Sequence, residues 1–235
     1  MGQDTSAMTP TVLNAIRPHT ATVIFLHGLG DTAAGWASEL AQIQKQALPW
    51  VKFILPTAPI RRVTLNGGFP MTAWHDIKSL EDVDSEDFDG LQESIDRIHQ
   101  LISAEDDASR VMVAGFSQGA ATALLSTYRY PERLAACAAL SGYLPWHADF
   151  AANLSEANKS TPCRMFHGEY DPVVKPQFAK RSLAVLKAAN VPCELMRYPM
   201  EHSACPDEMR SFVQFVQQHL PEQVSDAQQQ EKAEL

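Results

Sequence analysis

Basic residues are scarce beside acidic ones: 19 Lys and Arg against 28 Asp and Glu give a formal net charge of -9. No Lys/Arg cluster occurs, so the electrostatic footprint of a nucleic-acid partner is missing. Cysteine is sparse too. The four residues at 137, 163, 193 and 205 form no C-x-x-C pair, and no His stands at zinc-ligand spacing. The chain has 235 residues, 45% of them hydrophobic, which suits one domain with a sizeable core, or at most two small ones, and no disulfide staples. Free thiols in a reducing, cytoplasmic compartment are therefore expected, with no metal site. No apolar run reaches membrane-spanning length, and the first twenty residues hold no apolar stretch of the secretory kind. The start, Met1-Gly2-Gln3-Asp4-Thr5-Ser6, fits the N-myristoylation pattern. One such acyl chain would give only marginal, peripheral membrane attachment.

What is present centres on Val111 to Gly119. The apolar run Val111-Met112-Val113-Ala114 predicts a buried strand, Gly115-Phe116-Ser117-Gln118-Gly119 a tight turn, and Ala120 to Leu125 a helix. Strand, G-x-S-x-G turn and helix together make the context in which a serine becomes a nucleophile. Gly115 and Gly119 leave room where a Cβ would collide, and the helix N-terminus aims free N–H groups at a developing oxyanion.

The rest of the chain alternates. Strands are expected at Ala21–Leu26, Val51–Leu55, Leu134–Leu140, Cys163–Gly168 and Cys193–Tyr198. Helices are expected at Trp36–Ala47, after Asp89 (Leu91, Ile95, Ile98 and Ile102 on one stripe), at Pro176–Asn190, and over Met209–Leu220. That alternation predicts an α/β fold, a mostly parallel sheet with helices on both faces and no separate lid domain. Residues 1–18 read as a polar arm or edge strand, 19–221 as the domain, and 222–235 as a disordered polar tail.

Two stretches need a choice. Arg61 to Ile77 reads as a long irregular segment whose apolar members Leu65, Phe69, Met71, Trp74 and Ile77 would wall an active site. Glu81 to Asp89 carries six carboxylates, with Asp82, Asp84, Glu86 and Glu93 at calcium-loop spacing; Asp87 stands where such a loop needs Gly, so a solvated acidic loop is expected.

A serine hydroxyl needs a base, and the base an orienting carboxylate. Ser117, Asp171 and His202 occur in the order Ser…Asp…His, each just after an expected strand, where sites of parallel sheets lie. Glu169 competes with Asp171, which has the Asp-Pro turn; His167 competes with His202 but precedes the Asp. The loop His27-Gly28-Leu29-Gly30 follows an early strand, and backbone N–H groups of Leu29 and Gln118 are expected to form the oxyanion hole. His27 reads as a support of that loop.

The blocks Phe25-Leu26-His27-Gly28-Leu29-Gly30-Asp31, Pro56-Thr57-Ala58-Pro59, Val63-Thr64-Leu65-Asn66, Trp74-His75-Asp76-Ile77, Gly115-Phe116-Ser117-Gln118-Gly119, Leu140-Ser141-Gly142-Tyr143-Leu144-Pro145, His167-Gly168 with Asp171-Pro172-Val173-Val174, and His202-Ser203 follow one another in order. In these the chain resembles the acyl-protein thioesterase/lysophospholipase family of small carboxylesterases, from about Val23 to Leu220. The resemblance implies an α/β-hydrolase fold and no cofactor. It implies hydrolysis of long-chain acyl thioesters on S-acylated proteins, and of lysolipid esters, through an acyl-Ser117 intermediate. It implies an acyl channel, for which Leu29, Leu65, Met71, Trp74, Ile77, Leu80, Tyr143 and Leu144 are the candidates. Ala120 stands where the family often has a third Gly, Tyr143 for a frequent Trp, Lys175 for a usual Pro, and Lys78 for an apolar channel residue.

Overall fold

The computed structural model describes residues 9–81 and 87–223. The myristoylation pattern, the middle of the acidic loop (82–86) and residues 224–235 of the polar tail lie outside the described residues.

A seven-stranded sheet runs through the molecule in the order β1-β3-β2-β6-β7-β8-β9, from β1 (Thr11–Leu13), β2 (Ala21–Leu26), β3 (Val51–Leu55), β6 (Val111–Phe116), β7 (Ala136–Leu140), β8 (Cys163–Gly168) and β9 (Cys193–Tyr198). All neighbours pair in parallel except β1, which caps the edge antiparallel to β3 with Thr11 opposite Leu55. The expected arm at 1–18 thus contributes an edge strand.

Strand alternation sets the two cores. Val23, Phe25, Phe53, Met112 and Ala114 face one side and meet Leu40, Ile43, Phe212 and Phe215 of helices α1 (Ala33–Ala47) and α5 (Pro206–His219). Ile24, Leu26, Ile54, Val111 and Val113 face the other side and meet Ile98 and Ile102 of α2 (Phe88–Ser103) and Ala123 of α3 (Gln118–Arg129). Further along that second face, α4 (Pro176–Ala188) covers β8 and β9. The period-2 strands and 3.6-period helices read from the sequence therefore meet as layers. Cys137, Cys163 and Cys193 sit directly beside one another on β7, β8 and β9, buried and as free thiols; Cys205 is half-buried and also free.

One expectation is corrected here. The irregular stretch is a hairpin, β4 (Ile60–Val63) and β5 (Phe69–Thr72), paired antiparallel outside the main sheet. Its turn, Asn66-Gly67-Gly68, uses positive φ at both glycines. Pro70 in β5 is tolerated because a two-stranded ribbon has a free edge.

After β2 the chain moves outward to β3, then crosses back to place β6 on the other side of β2. Ligand crevices form where strand order reverses in this way. The loops after β2 and β6 flank that point.

Candidate active site

Ser117 sits between β6 and α3 with φ 55° and ψ -119°, a backbone conformation that side-chain-bearing residues rarely adopt. The surroundings enforce it. Ser117 N–H donates to Leu140 O at 2.8 Å, and α3 must start at once. A Cβ on Gly119 would stand 2.3 Å from Leu26 O and 2.5 Å from His27 O, so only glycine lets the helix press against the end of β2. Ala120, in place of the family's third Gly, is accommodated because Gly142 faces it without a side chain.

His202, from the loop between β9 and α5, lies with Nε2 2.9 Å from Ser117 Oγ. Its Nδ1–H donates to Asp171 Oδ2 at 2.7 Å, which leaves Nε2 free to accept the serine proton. Asp171 is buried in the turn after β8, and its Oδ1 accepts N–H bonds from Val173 (2.8 Å) and Val174 (2.9 Å). The competitors fall away on geometry. His167 donates Nε2–H to Val174 O at 2.7 Å and stays 3.6 Å from Asp171, and burial holds its pKa below the usual histidine value. Glu169 is exposed, 3.6 Å from Arg197, and does not line the cavity of Ser117.

His27 supports the loop after β2, as its position suggested. Nδ1–H donates to Gly28 O at 2.7 Å and Nε2 accepts from Ala58 N–H at 3.0 Å. Burial keeps this ring neutral by lowering its pKa. Leu29 follows in the turn, and Gln118 is the first residue of α3, where a helix has no intrahelical partner for its N–H. Both residues line the same cavity as Ser117.

That cavity measures about 590 Å³ and is walled mainly by apolar side chains. It has room for roughly twenty water-sized groups, enough for a long alkyl chain. Of the eight channel candidates, Leu29, Leu65, Ile77, Leu80 and Tyr143 line it. Three are corrected. Trp74 is wholly buried beneath the site, where its indole N–H donates to His27 O. Leu144 is buried against α4, its N–H donating to Ser182 Oγ. Met71 supports the wall from behind, packed with Val63, Ala73 and Ile77. Lys78 is exposed and does not line the cavity.

Sequence reasoning missed Trp36, Phe116, Val173, Val174 and Phe178, which complete the wall. Their rings and branched chains come from α1, the elbow, the Asp171 turn and α4. Phe116 links Trp36 to His202, with ring centroids 5.4 Å from the one and 5.0 Å from the other.

The family model described as phospholipase/carboxylesterase matches residues 7–220. The chain is 42% identical over 230 residues to an acyl-protein thioesterase 1 of Mycosarcoma maydis, covering 89% of this chain and 95% of that one. It is 42% identical over 213 residues to an acyl-protein thioesterase 1 homolog 1 of Dictyostelium discoideum, covering 88% and 93%. Among solved structures, that of Zea mays acyl-protein thioesterase 2 superposes with a TM-score of 0.83 at 32% identity, over 90% of this chain and 98% of that one.

Proposed function

The chain belongs to the phospholipase/carboxylesterase family of α/β-hydrolases, and on that footing we propose that it removes long acyl chains from protein thioesters, and from esters such as lysophospholipids, through an acyl-Ser117 intermediate. The observation that carries this reading is the apolar cavity of about 590 Å³ that opens directly onto Ser117. Its volume and mainly apolar lining suit an alkyl chain held beside the serine.

In this reading His202 Nε2 takes the Ser117 proton as Oγ attacks the acyl carbonyl. Asp171 holds the ring in the Nδ1–H tautomer and stabilises its charged form. The N–H groups of Leu29 and Gln118 receive the oxyanion. His202 then protonates the leaving thiol or alcohol, and a water activated by the same nitrogen releases the acid. The catalytic unit is 19–221, with β1 of the N-terminal arm as its edge. Its substrates are S-acylated proteins or lysolipids. Four free thiols support a reducing, cytoplasmic setting, and the exposed hairpin residues Leu65, which lines the cavity, and Phe69 support transient contact with a membrane surface.

Hydrolysis of p-nitrophenyl esters from acetyl to palmitoyl, beside a palmitoyl-cysteine peptide, tests the proposal. Activity that rises with chain length and includes the thioester is expected. Activity confined to short esters would make the chain a short-chain carboxylesterase instead. A non-catalytic lipid-binding member would leave Ser117 unlabelled by a fluorophosphonate; the 2.9 Å and 2.7 Å contacts of His202 speak against it.

A further inference from the structure

The two N–H groups that face the acyl oxygen come from different elements, Leu29 from the loop after β2 and Gln118 from the start of α3. A developing oxyanion needs both within a few tenths of an ångström of their proper places. Something must therefore set the distance between a loop and a helix. Direct contact at Gly119 sets part of it. The rest falls to a residue with no access to the cavity.

Trp74 follows β5 and is bonded in three directions. Its backbone N–H donates to the side-chain oxygen of Gln118 at 2.9 Å. Its indole N–H donates to His27 O at 2.8 Å, two residues before Leu29. Its carbonyl accepts from Ser94 Oγ of α2. The same Gln118 amide donates to His75 O at 2.8 Å, so its side chain grips the 74–75 segment at both ends. The indole also lies against the His27 ring, with centroids 5.2 Å apart. Just upstream, Thr72 O accepts Gly30 N–H at 2.8 Å, and Thr72 Oγ1 donates to Asp31 O.

We propose that Trp74 is a positioning residue for the oxyanion hole: it ties the Gln118 side chain to the His27 carbonyl and so sets the separation of the Gln118 and Leu29 N–H groups. Each bond is buried and directional, and a buried network of this kind specifies one geometry. Gln118 then works twice, once through its main chain at the oxyanion and once through its side chain as the far end of the strut. Trp74 also belongs to the chain segment that carries the hairpin, whose Leu65 walls the cavity and donates its N–H to Ile77 O at 2.8 Å. The acyl wall and the oxyanion donors are thereby parts of one hydrogen-bonded body.

The inference rests on the acyl-Ser117 reading, so the test separates the two. Trp74→Phe keeps an aromatic ring and removes the indole donor. Gln118→Met keeps the main-chain N–H and the side-chain length and removes the amide. Rates are normalised to the number of serines titrated by a fluorophosphonate. For butyryl and palmitoyl esters alike, kcat per titrated serine is expected to fall about tenfold to a hundredfold, as for a displaced rather than deleted donor, with KM changed by less than about twofold. The double variant is expected to lose little more than either single one, because both cut the same strut. Affinity for an alkyl trifluoromethyl ketone, whose adduct carries the oxyanion, falls by the same factor as kcat/KM. Should Trp74→Phe fail to fold, Gln118→Met and the ketone carry the test. A kcat per titrated serine within about twofold of the native chain, or losses that appear in KM or multiply in the double variant, would overturn the strut. A native chain that neither labels at Ser117 nor hydrolyses any ester would instead remove the proposed function.

Discussion

Asp171 meets His202 through one oxygen only. Oδ2 accepts the Nδ1–H at 2.7 Å, while Oδ1 is spent on the N–H groups of Val173 and Val174. The carboxylate therefore orients the histidine and folds the turn that walls the cavity, and the two duties are separable by substitution. In Asp171→Asn the amide oxygen keeps the two turn bonds and the amide nitrogen faces His202, imposing the wrong tautomer. We expect kcat to fall by about 10⁴-fold with the melting temperature little changed. Asp171→Ala also strips the turn of the oxygen that accepts both its N–H bonds, and a stability loss of about 1–3 kcal/mol is expected. Thermal unfolding beside ester hydrolysis checks both; an Asn variant that melts as early as the Ala variant would contradict the division.

Ser117 holds a positive φ that glycine adopts freely and alanine does not. Both Ser117→Ala and Ser117→Gly should lose activity by about 10⁴-fold or more. They should differ in stability: Ser117→Gly is expected to exceed Ser117→Ala by about 1 kcal/mol, seen as a melting point higher by about 2–4 °C for a chain of this size. Equal melting points would mean that the elbow stores no strain.

Glu208, in the first turn of α5, is buried, and burial pushes its carboxyl up to about 8, with the Cys205 N–H pulling the other way. A folded pKa above the unfolded value means the folded chain holds the extra proton between the two. This contribution is fully present below about 4.5 and is lost as pH rises through about 8. Buried His27 and His167 and half-buried His99 are shifted down by desolvation, so their contribution is lost as pH falls below the unfolded histidine value of 6.5. Glu208→Gln is expected to raise the melting temperature at pH 9 by several degrees and to change it little at pH 5. An equal shift at both pH values would show that the carboxyl does not titrate in this range.

Leu80 lines the cavity and is half-exposed at its rim, where a larger ring can enter without disturbing the buried core. Leu80→Trp is expected to lower the ratio of palmitoyl to butyryl ester hydrolysis by about tenfold or more, within what shape exclusion in an apolar pocket achieves. The butyryl rate should hold. A parallel loss on both esters would place Leu80 at the carbonyl rather than along the alkyl chain.

The sheet was legible because β2, β3, β6 and β7 are short, mostly apolar runs and β8 and β9 are short stretches bounded by turn residues, and helix α2 because Leu91, Ile95, Ile98 and Ile102 make an unbroken stripe. The convergence of Ser117, Asp171 and His202 was legible from their places after strands. The hairpin was not. Ile60-Arg61-Arg62-Val63 has no period-2 alternation and Pro70 argues against a strand, since a ribbon outside the main sheet fully buries only Val63 and so imposes no alternating pattern. The channel was only partly legible for a related reason. Trp74 and Leu144 are as apolar as Leu29 and Leu80, and only their backbone bonds, to Gln118 and Ser182, turn them inward. Trp36 shares a helix face with Leu40 and Ile43, whose side chains are buried, yet it sits where that face meets the cavity, a difference the helical period does not mark.

The three thiols aligned across β7, β8 and β9 make the chain its own reporter of motion. They lie beneath α3 and α4, on the side of the sheet far from β1, and an alkylating reagent reaches them only when that cover lifts. Half-buried Cys205 reacts on a different clock, set by the loop that carries His202. Timed thiol labelling beside fluorophosphonate labelling of Ser117 would thus read, in one untagged native sample, how often the α4 edge of the sheet opens and whether the active site opens with it.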